Sequence, residues 1–284
     1  MPAPRPPAAE ALGARLPPLV VAADRVAATV RAGVHGRRRP GQGDAFWQFR
    51  PFAQGDAVNR IDWRQSARGD RLYVRETESE AAQTIGLWRA TGPGMGWRGA
   101  ASRPTKRERA ELLLLALASL LLRGGERVRL LGAGRTLAGR GALERLAEDL
   151  GASEGALDDP SLSRHSRIVL FGDFWAPLPE WQARLSGFAA RGLRGTLVQV
   201  IDPAEESLPY AGRIRFEGLD GEAPELLPRV EGVRPAYAAR VAAHRAGLHD
   251  LARMAGCTLL THHTDQPPEA ALLALWLALA EAAR

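Results

Sequence analysis

Cysteine is almost absent from this sequence: Cys257 is the only one in 284 residues. That excludes a disulfide framework and a cysteine-built metal cluster, and Cys257, inside an apolar strand-like run, is expected to be packed. Lysine is as scarce, with Lys106 alone among 38 lysines and arginines. The formal net charge of +6 therefore rests on guanidinium groups, each a planar, bidentate donor set. The bias of a GC-rich genome accounts for that choice, as it does for the excess of alanine and glycine. A sequence pI near 10.5 permits acidic partners, nucleic acid or anionic membrane, and specifies no chemistry. Long apolar runs are missing too. Leu112 to Leu122 and Ala270 to Ala280 fall short of the roughly 18 to 20 residues a bilayer requires. Met1 to Pro18 is proline-rich where a secretory signal would need an apolar stretch. No transmembrane segment and a cytoplasmic location are expected.

What is present falls into three parts. Residues 1–18 read as a disordered proline-rich tail, and residues 19–82 as an N-terminal helix, Leu19 to Val34, followed by an irregular segment. Residues 83–284 alternate strand-like and helix-like stretches, the order expected of a doubly wound, mostly parallel sheet with helices on both faces. The strands are predicted at Thr84–Arg89, Arg127–Leu131, Arg167–Phe171, Gly195–Ile201 and Cys257–Thr261. Helices are predicted at Lys106–Arg123, Ala142–Leu150, Pro179–Arg191, Pro235–Ala255 and Pro268–Ala283, with a small hairpin at Ile214–Phe216 and beyond Asp220-Gly221. Leu131-Gly132-Ala133-Gly134 lacks the third glycine of a phosphate-cradling loop and is read as a tight turn.

The irregular segment, Gly33 to Glu80, concentrates glycine, arginine, aromatics and carboxylates with no helical or strand period. Gly41-x-Gly43, Phe46, Phe49-Arg50-Pro51-Phe52, Gly55-Asp56, Arg60-x-Asp62-Trp63 and Ser66-Ala67-Arg68 run into a strand carrying Arg75-Glu76. This order resembles the signature of the bacterial family called domain of unknown function 58, a divergent von Willebrand factor A type domain associated with MoxR-type AAA+ ATPases. The resemblance implies a von Willebrand factor A-like, Rossmann-like fold for residues 83–284 and a MoxR-type ATPase as partner. Relatives in that family often carry transmembrane helices ahead of the signature. Candidate partner-binding residues are Trp47, Arg50, Arg60, Asp62, Trp63 and Arg68, with Trp47, Arg50 and Arg60 as anchors and Asp62 and Trp63 bracing the turn from within. The alternative is an internal network in which the guanidinium groups pair with Asp56, Asp62 and Glu76.

In the resembled fold the first strand ends in Asp-x-Ser-x-Ser, whose oxygens hold magnesium. Here Ala90, Gly92 and Gly94 stand at those positions and offer no side-chain oxygen, while Asp173 stands where a further acidic residue would lie. The resemblance therefore implies a degenerate metal-ion-dependent adhesion site, with no metal and no cofactor. Either Arg89 or Arg98 takes the cation's place and pairs with Asp173, or Arg89 points to solvent. The expected function is a non-enzymatic interaction module. A nucleic-acid binder using arginines and aromatics of residues 37–75 is the first alternative, opposed by the acidic residues of the same stretch. A hydrolase using Asp202, His262 and Asp265 is the second; in it, the adjacent His262 and His263 would face opposite ways.

Overall fold

The computed structural model describes residues 20–28, 30, 46–52, 61–69, 71–77, 83–219 and 221–281, with 46–50, 74–77, 280 and 281 described by backbone alone. The chain divides into two compact units, His35–Ala82 and Met1–Val34 with Gln83–Arg284. Residues 1–18 lie outside the described residues.

In the larger unit, helix α1 spans residues 20–28. The sheet strands are β3 (Thr84–Arg89), β4 (Arg127–Leu130), β5 (Thr136–Leu137), β6 (Arg167–Gly172), β7 (Arg194–Ile201) and β10 (Cys257–His263). They stand in the order β10-β7-β6-β3-β4-β5, every pair parallel except β4 with β5. The larger helices are α3 (Lys106–Arg123), α4 (Ala142–Ala152), α5 (Leu178–Ala190), α7 (Arg234–Met254) and α8 (Pro268–Glu281), with a short α6 (Pro203–Ser207). A hairpin, β8 (Ile214–Phe216) with β9 (Glu225–Leu227), interrupts the connection from β7 to α7.

The strands sort their residues by parity, because successive side chains leave opposite faces of a sheet. Ile85, Leu87, Val128, Leu130, Val169, Phe171, Val198 and Val200 join one core with residues of α1, α3, α4 and α8. Trp88, Ile168, Leu170 and Leu197 join the other with Trp181, Leu185, Phe188, Leu248 and Ala252 of α5 and α7. Helices on both faces of a mostly parallel sheet are thus as predicted. Helix α3 is nearly apolar all round, and eleven of its residues, Lys106 among them, are buried. Thr105 starts it with a capping box closed by Glu108, which satisfies two otherwise orphaned N–H donors.

The chain leaves β3 for β4 and β5 on one side and returns to β6 on the other, so the order reverses at β3. Such a switch point opens a crevice at the carboxyl ends of the strands. Predicted boundaries of the five parallel strands and of α3, α4, α5, α7 and α8 differ from the structure by no more than two residues; of the predicted helix Leu19–Val34 only residues 20–28 and 30 are among the described residues, and the antiparallel β5 was not anticipated. Gly132 and Gly134 have φ of +80° and +77° and lie in the β4–β5 connection, so the glycine pair is a turn, as read from its spacing.

In the smaller unit, β1 (Phe46–Pro51) pairs antiparallel with β2 (Tyr73–Thr77), and α2 (Trp63–Ser66) forms one helical turn between them. The strand period was illegible because the register shifts between Phe46 and Gln48, and such an irregularity breaks the alternation of side chains.

Candidate functional site at the carboxyl edge of the sheet

Lys106 is the first residue of α3, and its side chain is 1% exposed. Its Nζ lies 2.8 Å from Asp173 Oδ2, beyond β6, and 2.5 Å from Glu205 Oε1 in α6. A buried ammonium is tolerated only when paired, and this one has two carboxylates. A cation at a helix N-terminus also opposes the helix dipole, which the same carboxylates offset. Glu205 additionally accepts from the Asp202 backbone N–H at 2.9 Å and from Trp175 Nε1 at 3.2 Å. Burial raises the Glu205 carboxyl above its ordinary value, against the lowering influence of Lys106. The Ala90–Gly94 loop borders this cluster: a Cβ added to Gly94 would stand 3.3 Å from Asp173 Oδ2.

The expectation that Arg89 or Arg98 pairs with Asp173, or that Arg89 faces solvent, is corrected here. Arg89 is 4% exposed and turned under the helices: Nη2 donates to the Leu150 carbonyl at 3.0 Å, Nη1 to that of Ala90 at 3.2 Å, and Nε lies 3.4 Å from Glu111 Oε1. Burial lowers its pKa, with Glu111 opposing the shift. Strand parity explains the placement, since Arg89 shares its face with Ile85 and Leu87. Arg98 is exposed. Two signals in the sequence pointed to Lys106 instead: it is the only lysine, and it stands at a helix start, where cations are disfavoured.

Beside the cluster lies a cavity of about 810 Å³ lined by four of the chain's seven tryptophans, Trp88, Trp97, Trp175 and Trp181. Trp181 packs edge-on against Phe174, with ring centroids 4.7 Å apart, and against Trp88 at 6.2 Å. Trp88 Nε1 donates to the Gly155 carbonyl at 2.8 Å, while Trp181 Nε1 is buried without a partner among the described residues. Arg184 sits over the Trp181 ring, 4.9 Å from its centroid. Leu219 and Glu222, between β8 and β9, form part of the wall.

The residues of the hydrolytic alternative are not joined by any hydrogen bond or ion pair. Asp202 is fully buried and caps α6. Its Oδ1 accepts from Ala204 N at 2.9 Å and Arg103 Nη1 at 3.0 Å, its Oδ2 from Gly99 N and Thr264 Oγ1, both at 3.1 Å. Burial pushes its carboxyl up, but the N–H groups of Ala204 and Gly99, the Thr264 hydroxyl and Arg103 together hold it below the ordinary value. Asp265 is exposed. His263 turns the other way from His262, its Nε2 2.7 Å from Glu206 Oε2. His262 is 2% exposed with Nε2 unpartnered. Burial first, then Arg109 and His263, lower its pKa from 6.5 to about 4.

That shift has a defined effect on stability. An unfolded histidine takes up its proton near pH 6.5, while the folded one resists until about pH 4. The unfolded state therefore binds more protons across this window, so the stability held above pH 6.5 falls as pH drops toward 4. At 1.36 kcal/mol per unit, the loss due to His262 approaches roughly 2–3 kcal/mol. Urea unfolding of the parent and His262→Leu at pH 7 and pH 4.5 is expected to show the parent losing that much more than the variant. Equal losses would mean that His262 is charged in the folded protein.

In the smaller unit Asp62 caps α2, its Oδ1 accepting from Gln65 N at 2.9 Å, and Ser66 Oγ accepts from Tyr73 N at 2.9 Å. Asp62 thus braces the turn as expected. Trp63 does not brace it from within: it is 62% exposed. Arg68 is exposed. Trp47 and Arg50 belong to the part of β1 described by backbone alone; Arg60 and Asp56 lie outside the described residues, as does the Glu76 side chain. Among the described residues no group of three or more His, Cys, Asp or Glu is placed to hold a metal ion, and no helix is long and apolar enough to cross a membrane.

Among known proteins, uncharacterized proteins of Mycobacterium tuberculosis and Mycobacterium bovis are 25% identical to this chain over 253 residues, which cover 80% of it and 77% of each of them. An aerotolerance-related membrane protein from Bacteroides fragilis superposes with a TM-score of 0.44 at 12% identity, covering 70% of this chain and 100% of that one. The conserved hypothetical protein BatB from Bacteroides thetaiotaomicron does so with a TM-score of 0.39 at 12% identity, covering 71% and 100%. Residues 48–247, which take in both the β1–β2 segment and most of the sheet, match the family described as Protein of unknown function DUF58, and the chain belongs to that family.

Proposed function

We propose that this chain is a non-enzymatic adaptor acting with a MoxR-type AAA+ ATPase in the cytoplasm. In this reading it is built on a von Willebrand factor A-like domain, and the Lys106 ammonium stands where that fold otherwise holds a divalent cation. The partner comes from the family resemblance. The strand order supports the fold: counted from β3 it is 3-2-1-4-5-6, the arrangement that binds ligands at the switch point.

The observation that carries the reading is the lysine between two carboxylates beside a loop without oxygen side chains. Asp173 and Glu205 already hold a cation that cannot dissociate, and Asp202 is occupied by four donors. Such an edge presents a fixed surface. Exposed Trp63 and Arg68 supply the residue types most often found as interface anchors.

The test is a titration of the purified ATPase with the parent chain, Trp63→Ala and Arg68→Ala. At least one truncation is expected to weaken binding by about 2 kcal/mol or more at unchanged melting temperature. Millimolar magnesium added to the isolated chain should leave that temperature where it was. Steeply salt-dependent binding to labelled DNA or RNA, with none to the ATPase, would favour the nucleic-acid alternative.

A further inference from the structure

The cavity beside Lys106 has no occupant in the adaptor reading. On a chain of net charge +6, its walls combine aromatic surface with an excess of carboxylate. Three carboxylates line it, from Asp173, Glu205 and Glu222, against two cations, Lys106 and Arg184. The contacts of the cluster leave specific valences open. Asp173 uses Oδ2 for Lys106, while its Oδ1 accepts no hydrogen bond among the described residues and its side chain is 20% exposed. Trp97 is half-buried, and its ring makes no hydrogen bond or ring contact there.

A carboxylate oxygen and a half-buried indole ring lining the same cavity select a cation, because a ring face and a carboxylate both attract positive charge. Guanidinium suits the pair better than ammonium, since it is planar, stacks on aromatic rings and is less strongly hydrated. The cavity already displays that mode, with Arg184 over Trp181. Glu205 does not compete for the cation, because Lys106, Trp175 and the Asp202 backbone take up its oxygens.

We infer that this cavity receives an arginine-bearing segment of a partner protein, the guanidinium taken by Asp173 Oδ1 and the ring of Trp97. The inference rests on the adaptor reading and names the chemistry of the segment the adaptor holds. It also gives the resident ammonium a purpose: Lys106 fixes Asp173 and leaves one negative charge for the incoming side chain.

Blocked pentapeptides of glycine and alanine with a central arginine, glutamine or glutamate are suitable probes, read by indole fluorescence and by the indole N–H resonances. The arginine peptide is expected to bind saturably and at least tenfold more tightly than the glutamine peptide, and to shift the Trp97 resonance. Trp97→Ala should remove that preference without changing the melting temperature, and Trp97→Phe should restore part of it. Equal affinity for arginine and glutamine, preference for glutamate, or no saturable binding by any of the three overturns the inference. The ATPase takes no part in this titration, so a failure here is separate from a failure of the adaptor reading.

Discussion

Lys106→Met is expected to lower the melting temperature by roughly 10 °C, because it breaks a buried ion cluster from the cationic side. Removing one partner of such a cluster costs about 3–5 kcal/mol, since charge is left buried without compensation. Methionine matches the length of the lysine stem, so the loss reports the charge and not a cavity. The pH dependence identifies the mechanism. Burial already raises the Glu205 carboxyl, and Lys106 is the chief influence lowering it. Without Lys106 its folded pKa rises further above the unfolded value. A group so shifted stabilises at pH below its unfolded pKa and loses that contribution as pH rises through the folded one. The variant should therefore recover part of the deficit between pH 8 and pH 5, and Glu205→Gln added to it should do the same at pH 8. A Lys106→Met protein melting within a degree of the parent at both pH values would show the ammonium to be dispensable.

Asp202→Ala is the second large effect, about 3–5 kcal/mol, measured as a drop in the urea midpoint. Four donors converge on this fully buried carboxylate, from Gly99, Ala204, Arg103 and Thr264. They tie together the loop before α3, the start of α6 and the end of β10, and truncation leaves them unpaired. Donors holding the Asp202 carboxyl below its ordinary value contribute stability above pH 3.8, lost as pH falls through the folded pKa. The acid limb of the parent's stability curve should accordingly be shallower in the variant. A variant unfolding at the parent's midpoint would free Asp202 for a chemical role and return attention to the hydrolytic alternative.

These two residues also mark the limits of reading the chain as a string. Asp202 was legible as the end of a strand but looked like a catalytic candidate, since nothing local reveals that its oxygens are occupied by residues from position 99 to position 264. Lys106 was legible as the only lysine, yet its helix reads as a buried apolar rod, and the first-turn cation stood unexplained until Asp173 and Glu205 were brought to it. The arginine-for-metal expectation chose the nearest cation along the chain; parity in β3 sends Arg89 beneath α3 and α4 instead.

Alternation and run length sufficed for the layers: apolar strands and helices of these lengths can bury their faces only as a mostly parallel sheet covered on both sides. The β1–β2 signature was legible as an order of residues and gave the family, although its bulged register hid the strand in it. Only the fold decided which side chains meet. The switch point at β3 gathers the loops after β3, β6 and β7 at one edge, from positions more than a hundred residues apart. Contacts of that separation depend on strand order and on the face each side chain takes, and neither is encoded in any local stretch.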